Sequence, residues 1–405
     1  MYLDLDHFKL VNDGLGHSFG DRLIADAARR LERCIRASDT ISRIGGDEFS
    51  ILIHDVSNSE SVVGIARKIL ASMERPFTID DHELFVTASI GVAIHPADGD
   101  DVETLFKCAD AALFRAKELG RNQVQLFTAS INDRFERRLL LEQSLHHAIE
   151  RGEMELWYQP IVEGSRRRVT AVEALIRWHD PRRGLVEPAE FITLAEETGL
   201  IVPIGEWVLR NAVRQLREWR ELGVPDLRMA VNISAPQLHQ PDFVDLVTRV
   251  IAENGIAPGS LQLEITESVA IRDMEVAMKV LRELKERGVG IAVDDFGTGQ
   301  SSLVYLKQLP IDTIKLDKEF LREIVDDEVA AAIVSYSINL AHTLRLRVVA
   351  EGVENEEQHM FLRNCGCDEM QGFLFSKPLP ATRVQPLLRE TAAPPTIEIR
   401  RPLDL

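Results

Sequence analysis

Cysteine is scarce: four residues in 405, Cys34, Cys108, Cys365 and Cys367, too scattered for a disulfide framework, which points to a reducing, cytoplasmic setting. Cys365-Gly-Cys367 leaves one residue between its sulfurs and has no second pair elsewhere, so it reads as small residues at a turn and not as a zinc clip. Long apolar runs are missing as well. None approaches the roughly 18 residues a membrane helix needs, and the opening MYLDLD is too acidic for a signal peptide. No membrane segment is expected within the chain, and any sensor or membrane segment upstream of Met1 would lie outside it. Positive charge is also short: 47 Lys and Arg stand against 65 Asp and Glu, a formal net charge of −18, which argues against gripping duplex nucleic acid by its phosphates. The acidic excess is spread along both halves and forms no tail, a pattern that suits bound cations.

What is present, 45% hydrophobic and 28% charged residues, is the composition of an ordinary globular protein. The length supports two or three domains, with a barrel of about 250 residues plus a smaller partner inside that range. Residues 18–36 carry Leu23, Ala27, Ala28, Leu31 and Ile35 at helical spacing, and β-rich runs at 41–44 and 49–53 flank Gly45-Gly46-Asp47-Glu48. A helix near 60–73, a strand at 85–94 and a helix near 101–118 complete an α+β domain expected to span 1–127. Residues 128–152 read as a linker centred on an amphipathic helix at 132–150, with Asn132 or Asp133 as N-cap and Gly152 just past its end. The next domain is expected at 153–390, and 391–405 as a flexible tail.

From residue 153 onward eight short β-rich runs alternate with helical stretches: ELWYQPI, TAVEALIRW, RMAVNIS, LQLEIT, VGIAVDD, DTIKLD, LRVVAE and DEMQGF. That alternation is the signature of a (β/α)8 barrel, although a doubly wound sheet gives a similar count. Each run is apolar and then reaches one ionisable or amide residue: Gln159, Glu173, Asn232, Glu264, Asp294, Lys315, Glu351 and Gln371. If those positions end the strands of a barrel, they converge on its C-terminal mouth, where barrel enzymes do their chemistry.

Four carboxylates in one pocket repel one another unless a cation neutralises them, and oxygen donors select hard ions such as Mg²⁺ or Mn²⁺. Asp295, next to Asp294, makes a two-metal site feasible, and two ions suit phosphodiester hydrolysis. Lys315 would then orient the attacking water or stabilise the leaving oxygen. Arg177, four residues after Glu173, shares its strand face and offers a planar fork to phosphate or guanine, unless it pairs with a rim carboxylate.

Residues 173–178 (EALIRW), 231–234 (VNIS), 264–268 (EITES), 293–302 (VDDFGTGQSS), 315–317 (KLD), 350–354 (AEGVE) and 371–373 (QGF) resemble, in order, the EAL-domain phosphodiesterases of cyclic di-GMP signalling. The resemblance implies a barrel whose first strand runs antiparallel to the rest, and hydrolysis of cyclic di-GMP to linear pGpG with two Mg²⁺ or Mn²⁺ ions. By position, Glu173, Asn232, Glu264 and Asp294 resemble the ligands of one metal, Asp295 the residue shared with the second, and Glu351 the last member of the cluster. Lys315 matches the lysine near the nucleophilic water, Gln159 and Arg177 the substrate contacts, Glu354 and Gln371 the supporting pocket residues, and Glu267 the glutamate that holds the loop after Asp295. That loop has Gln300 where an aromatic is common. Asp294-Asp295-Phe296-Gly297 also mimics a kinase Asp-Phe-Gly, but the chain has neither a glycine-rich loop over a strand nor a His-Arg-Asp loop upstream.

Asp4-Leu5-Asp6-His7-Phe8-Lys9, Asn12-Asp13, Gly20-Asp21, Gly45-Gly46-Asp47-Glu48-Phe49, Ser89-Ile90-Gly91 and the run 117–122 (KELGRN) are similar to GGDEF diguanylate cyclases, in which two facing copies join two GTP molecules. The resemblance makes Asp4 and Asp47 metal ligands for GTP-bound Mg²⁺, Asn12 and Asp21 guanine contacts, and Glu48 an active-loop acid, while Gly45 and Gly46 leave room for close backbone approach. Arg36 and Asp39 resemble an inhibitory product-binding Arg-x-x-Asp pair. The first strand begins within three residues of Met1, so the elements that usually precede it are missing, and this half is expected to be a weak or inactive cyclase that senses GTP. Three functions follow as expectations: a cyclic di-GMP phosphodiesterase acting as a homodimer, a non-catalytic cyclic di-GMP receptor, and a bifunctional cyclase and phosphodiesterase.

Overall fold

A strand flanked on both sides within its sheet should be buried throughout, and Tyr2–Leu5 is buried at all four positions. It pairs antiparallel with Glu48–Leu52 and with Ala88–Val92. In this computed structural model, which describes all residues except 57–58, 81, 273, 298–307 and 393–405 and the side chains of 132–134, 136, 271–272 and 390–392, the chain divides into two compact units, Met1–Leu141 and Glu142–Leu405. Gln300 and nearly all of the expected tail lie outside the described residues. Among the described residues no helix is long and apolar enough to cross a membrane.

The first unit is a five-stranded sheet in the order Thr40–Gly45, Glu48–Leu52, Tyr2–Leu5, Ala88–Val92, Val124–Leu126, the last pairing parallel. Helices His17–Glu32 and Ser59–Met73 contribute Leu23, Ala27, Leu31, Ala66 and Ile69 to its core, at the three- and four-residue intervals of one helix face. The first of these ends at Glu32, short of the expected residue 36, and the Asp39 carboxylate accepts the Arg36 N–H to hold the turn that follows. The strand expected at 85–94 is confined to Ala88–Val92. Helix Ala129–Ala148 begins before Asn132 and Asp133, which therefore lie inside it and not at its N-cap; Thr128 occupies the position before its first turn.

The second unit is a closed barrel. Its staves are Met154–Glu163, Val169–Asp180, Arg228–Asn232, Leu261–Thr266, Gly290–Phe296, Thr313–Leu316, Arg347–Ala350 and Glu369–Met370, matching the eight runs. Staves two to eight pair parallel in sequence, while the first pairs antiparallel with both the eighth and the second and closes the ring. This corrects the idea that every marked residue ends a strand. Gln159 lies mid-strand in the reversed first stave, in register with Glu173, and Glu173 is itself mid-strand because the second stave runs on to pair with Gly184–Val186. At the barrel's other end Glu369 accepts hydrogen bonds from Arg228 and Thr170, so its buried charge is compensated.

Candidate functional site

Adjacent parallel staves bring their mouth residues level. Asn232 is in register with Glu264, and Thr266 with Asp294. After Asp294 the register shifts, Asp295 takes a left-handed φ of 55°, and its N–H turns back to the Asp294 carboxylate at 2.9 Å. Such backbone strain at a bulge re-aims side chains at a mouth.

Lys315 stands at the centre, buried. Its Nζ lies 2.6 Å from both Glu264 and Glu351, 3.2 Å from Asp294 and 3.8 Å from Glu173. Four acids from four staves thus share one cation. Burial opposes the ammonium charge, yet Glu173, Glu264, Glu351 and Asp294 outweigh it and hold the Lys315 pKa well above the usual lysine value. Burial also lifts Glu264 well above the carboxylate range against the pull of Lys315, pushes Glu351 up to about 8, and raises Asp295, which Asp294 raises further. Glu173 accepts from Asn232 at 2.6 Å and from Gln371 at 2.7 Å, and Gln371 donates to Gln159 at 3.0 Å. Gly372 allows Gln371 to reach in, since a Cβ there would sit 2.1 Å from the Val353 carbonyl oxygen.

Glu267 accepts the Gly297 N–H at 3.0 Å and so anchors the start of the loop. Arg177 bonds the Ile176 carbonyl and lies 5.5 Å from the Trp157 ring; among the described residues it forms no ion pair, so the rim-carboxylate alternative is not what is seen. Glu354 departs from expectation: its side chain is exposed, and among the described residues only its backbone N–H is engaged, by Gln358. A cavity of about 310 Å³ opens beside the acids, with Arg177, Asn232 and Glu264 in its wall. Gln237 also lines it, buried and fixed by Ser234 in a capping box. The sequence reading passed over Gln237, although Ser-x-x-Gln directly after Asn232 is a helix-start signature.

The residues fit a hard divalent cation. The donors are oxygens, four carboxylates face one ammonium, and Glu264 Oε1 is buried with no partner among the described residues. No three His, Cys, Asp or Glu side chains among those residues form a ready-made cage; the acids are gathered on Lys315 instead.

In the first unit Asp4 meets Lys117 Nζ at 2.8 Å and is in register with Glu48, whose carboxylate accepts the Tyr2 hydroxyl at 2.8 Å. Burial pushes Asp4 up to about 6, against Lys117 and with help from Asp47 and Asp6. Asp6 has a structural task, accepting from Thr87, Ser89 and the Asn122 N–H. Asn12 Oδ1 is buried with no partner among the described residues, whereas Asp21 is exposed. Gly46 turns the hairpin at a φ of 51°. Asp39, the expected inhibitory-site acid, is occupied by the Arg36 and His54 N–H groups.

Residues 142–378 match the EAL domain model. The chain belongs to the EAL domain family. Residues 1–123 match the model described as diguanylate cyclase, GGDEF domain, so the order is GGDEF then EAL. The chain is 44% identical over 384 residues to the bifunctional diguanylate cyclase/cyclic di-GMP phosphodiesterase MucR of Pseudomonas aeruginosa, covering 95% of this chain and 56% of that protein. It is 41% identical over 381 residues to the cyclic di-GMP phosphodiesterase PdeR of Escherichia coli, covering 94% and 57%. The chain thus spans a little over half the length of these relatives. A solved structure of the PaMucR phosphodiesterase in complex with c-di-GMP matches with 46% identity and a TM-score of 0.59, over 60% of this chain and 99% of that one.

Proposed function

We propose that the EAL barrel is a metal-dependent phosphodiesterase that hydrolyses cyclic di-GMP to linear pGpG, and that the GGDEF unit binds GTP as a regulator with weak or no cyclase activity. The observation that carries the first part is the convergence of Glu173, Glu264, Asp294 and Glu351 on one buried cation, with an unpartnered Glu264 oxygen beside it. Glu173, Asn232, Glu264, Asp294, Asp295 and Glu351 would hold two Mg²⁺ or Mn²⁺ ions, which would supply Lewis acidity and a lowered pKa for the attacking water. Water adds to phosphorus, the P–O3′ bond breaks, and O3′ takes up a proton, so one water is consumed per bond. Lys315, kept charged by its neighbours, is placed to hold that water or to offset negative charge on the phosphoryl oxygens. Gln371 and Asn232 fix the Glu173 carboxylate, while Gln159, Arg177 and Gln371 bind and support the substrate. The relatives' names and the cyclic di-GMP complex of a similar structure support the same substrate.

For the first unit, Asp4 and Asp47 would hold the Mg²⁺ of GTP, and the orphaned Asn12 oxygen is an acceptor suited to guanine. The working assembly is a homodimer. Incubating the full chain with cyclic di-GMP and Mg²⁺ or Mn²⁺ should yield pGpG, and Glu264→Ala should lower that rate by at least a factor on the order of 10² to 10³ while keeping dinucleotide binding. Unchanged dinucleotide at saturating protein favours the receptor reading. Sustained cyclic di-GMP synthesis from GTP in a Glu173→Ala background contradicts the weak-cyclase part and favours the bifunctional one.

A further inference from the structure

Glu196 is placed against the charge preference of its helix end. It lies in the last turn of helix Pro188–Thr198, where the helix dipole favours cations and where no basic residue is present. Its sequence neighbour is another acid, Glu197, and partial burial together with Glu197 raises its pKa. Among the described residues no hydrogen bond or ion pair compensates its carboxylate. Yet it stands, still open to solvent, in the wall of the cavity that contains Arg177, Asn232 and Glu264. Beside the polar Ser234, Gln237 and Thr266, the wall has an apolar part, Ile192, Ile201, Ile204 and Val208, suited to the faces of a planar ring. A side chain that breaks local rules without a stabilising partner marks a functional position.

Resting on the phosphodiesterase reading, we propose that Glu196 is a specificity-determining residue that accepts the N1–H and 2-amino hydrogens of one guanine of the substrate. A carboxylate is acceptor-only, and its two oxygens match the two adjacent donors on guanine's Watson–Crick edge. Adenine presents an acceptor at N1, and hypoxanthine lacks the 2-amino group. A purine in the cavity would be sandwiched by isoleucines with its donor edge toward Glu196, while Arg177 serves phosphate or the opposite edge.

The test compares the full-length wild type with Glu196→Gln and Glu196→Ala on cyclic di-GMP, cyclic di-IMP and the base-free substrate bis(p-nitrophenyl) phosphate. The wild type should prefer cyclic di-GMP to cyclic di-IMP in kcat/KM, and both variants should lose that preference on the order of tenfold, through KM more than kcat. Their cyclic di-GMP to bis(p-nitrophenyl) phosphate activity ratio should fall by a similar factor. An unaltered base preference, or parallel loss on all three substrates, overturns the proposal. Calorimetric binding of the two dinucleotides in EDTA reads base preference without turnover, so a chain that binds selectively through Glu196 but does not cleave would sink the phosphodiesterase reading alone.

Discussion

Lys315 and Lys117 each sit beside carboxylates, one in each unit, but the two pairings differ in kind. The Lys315 side chain is about 1% exposed and within 4 Å of four acids, whereas that of Lys117 is 32% exposed and, among the described residues, pairs with Asp4 alone. In the barrel four acids crowd one buried lysine, so they depend on whatever cation is inside. In the GGDEF unit the buried Asp4 meets a lysine that is itself partly open to solvent, and this single acid carries a moderate shift. The lesson is that burial, more than residue type, decides how strongly an acidic cluster demands a metal.

The sharpest way to break this comparison is Lys315→Met. In metal-free buffer it leaves four acids without their cation and should cost the barrel about 3–5 kcal/mol. Urea unfolding followed by tryptophan fluorescence reads the barrel selectively, because Trp157, Trp178, Trp207 and Trp219 all belong to it. Mn²⁺ should recover more stability in Lys315→Met than in the wild type, since it binds the folded state. Equal response in both proteins would mean that the lysine does not stand in for a metal.

Asp4 supplies the milder case. Its folded pKa of about 6 lies above the ordinary 3.8, so the folded chain holds that proton more tightly. Stability from this group is fully present below about pH 4 and is lost as pH rises through about 6, a change of up to about 3 kcal/mol. Amide exchange of the strand Tyr2–Leu5 in metal-free buffer should show this slope, and Asp4→Asn should flatten it. The smallest effect is expected from Glu267→Ala, which removes one charged hydrogen bond to Gly297 and should cost about 1–3 kcal/mol, with activity falling as the loop after Asp295 loses its anchor.

The eight staves were legible because short β-rich runs alternate with helical stretches, and both domain families were legible from ordered motifs. The depth of the polar residues within those runs was not. A one-dimensional pattern cannot show that the first stave is reversed, so Gln159 and Glu173 face each other from mid-strand positions. Glu354 shares a motif with Glu351, yet the turn at Gly352 sends its side chain outward. Gln237 and Glu196 were invisible for a different reason: their part in the cavity depends on where two helices are laid against the barrel.

Anomalous diffraction from crystals of the full chain grown with Mn²⁺ tests the central claim most directly. The account predicts peaks about 2.0–2.2 Å from oxygens of Glu173, Asn232, Glu264 and Asp294, with Lys315 Nζ withdrawn from at least one of these acids. Lys315 still clasping all four acids, with manganese bound only elsewhere, would contradict it.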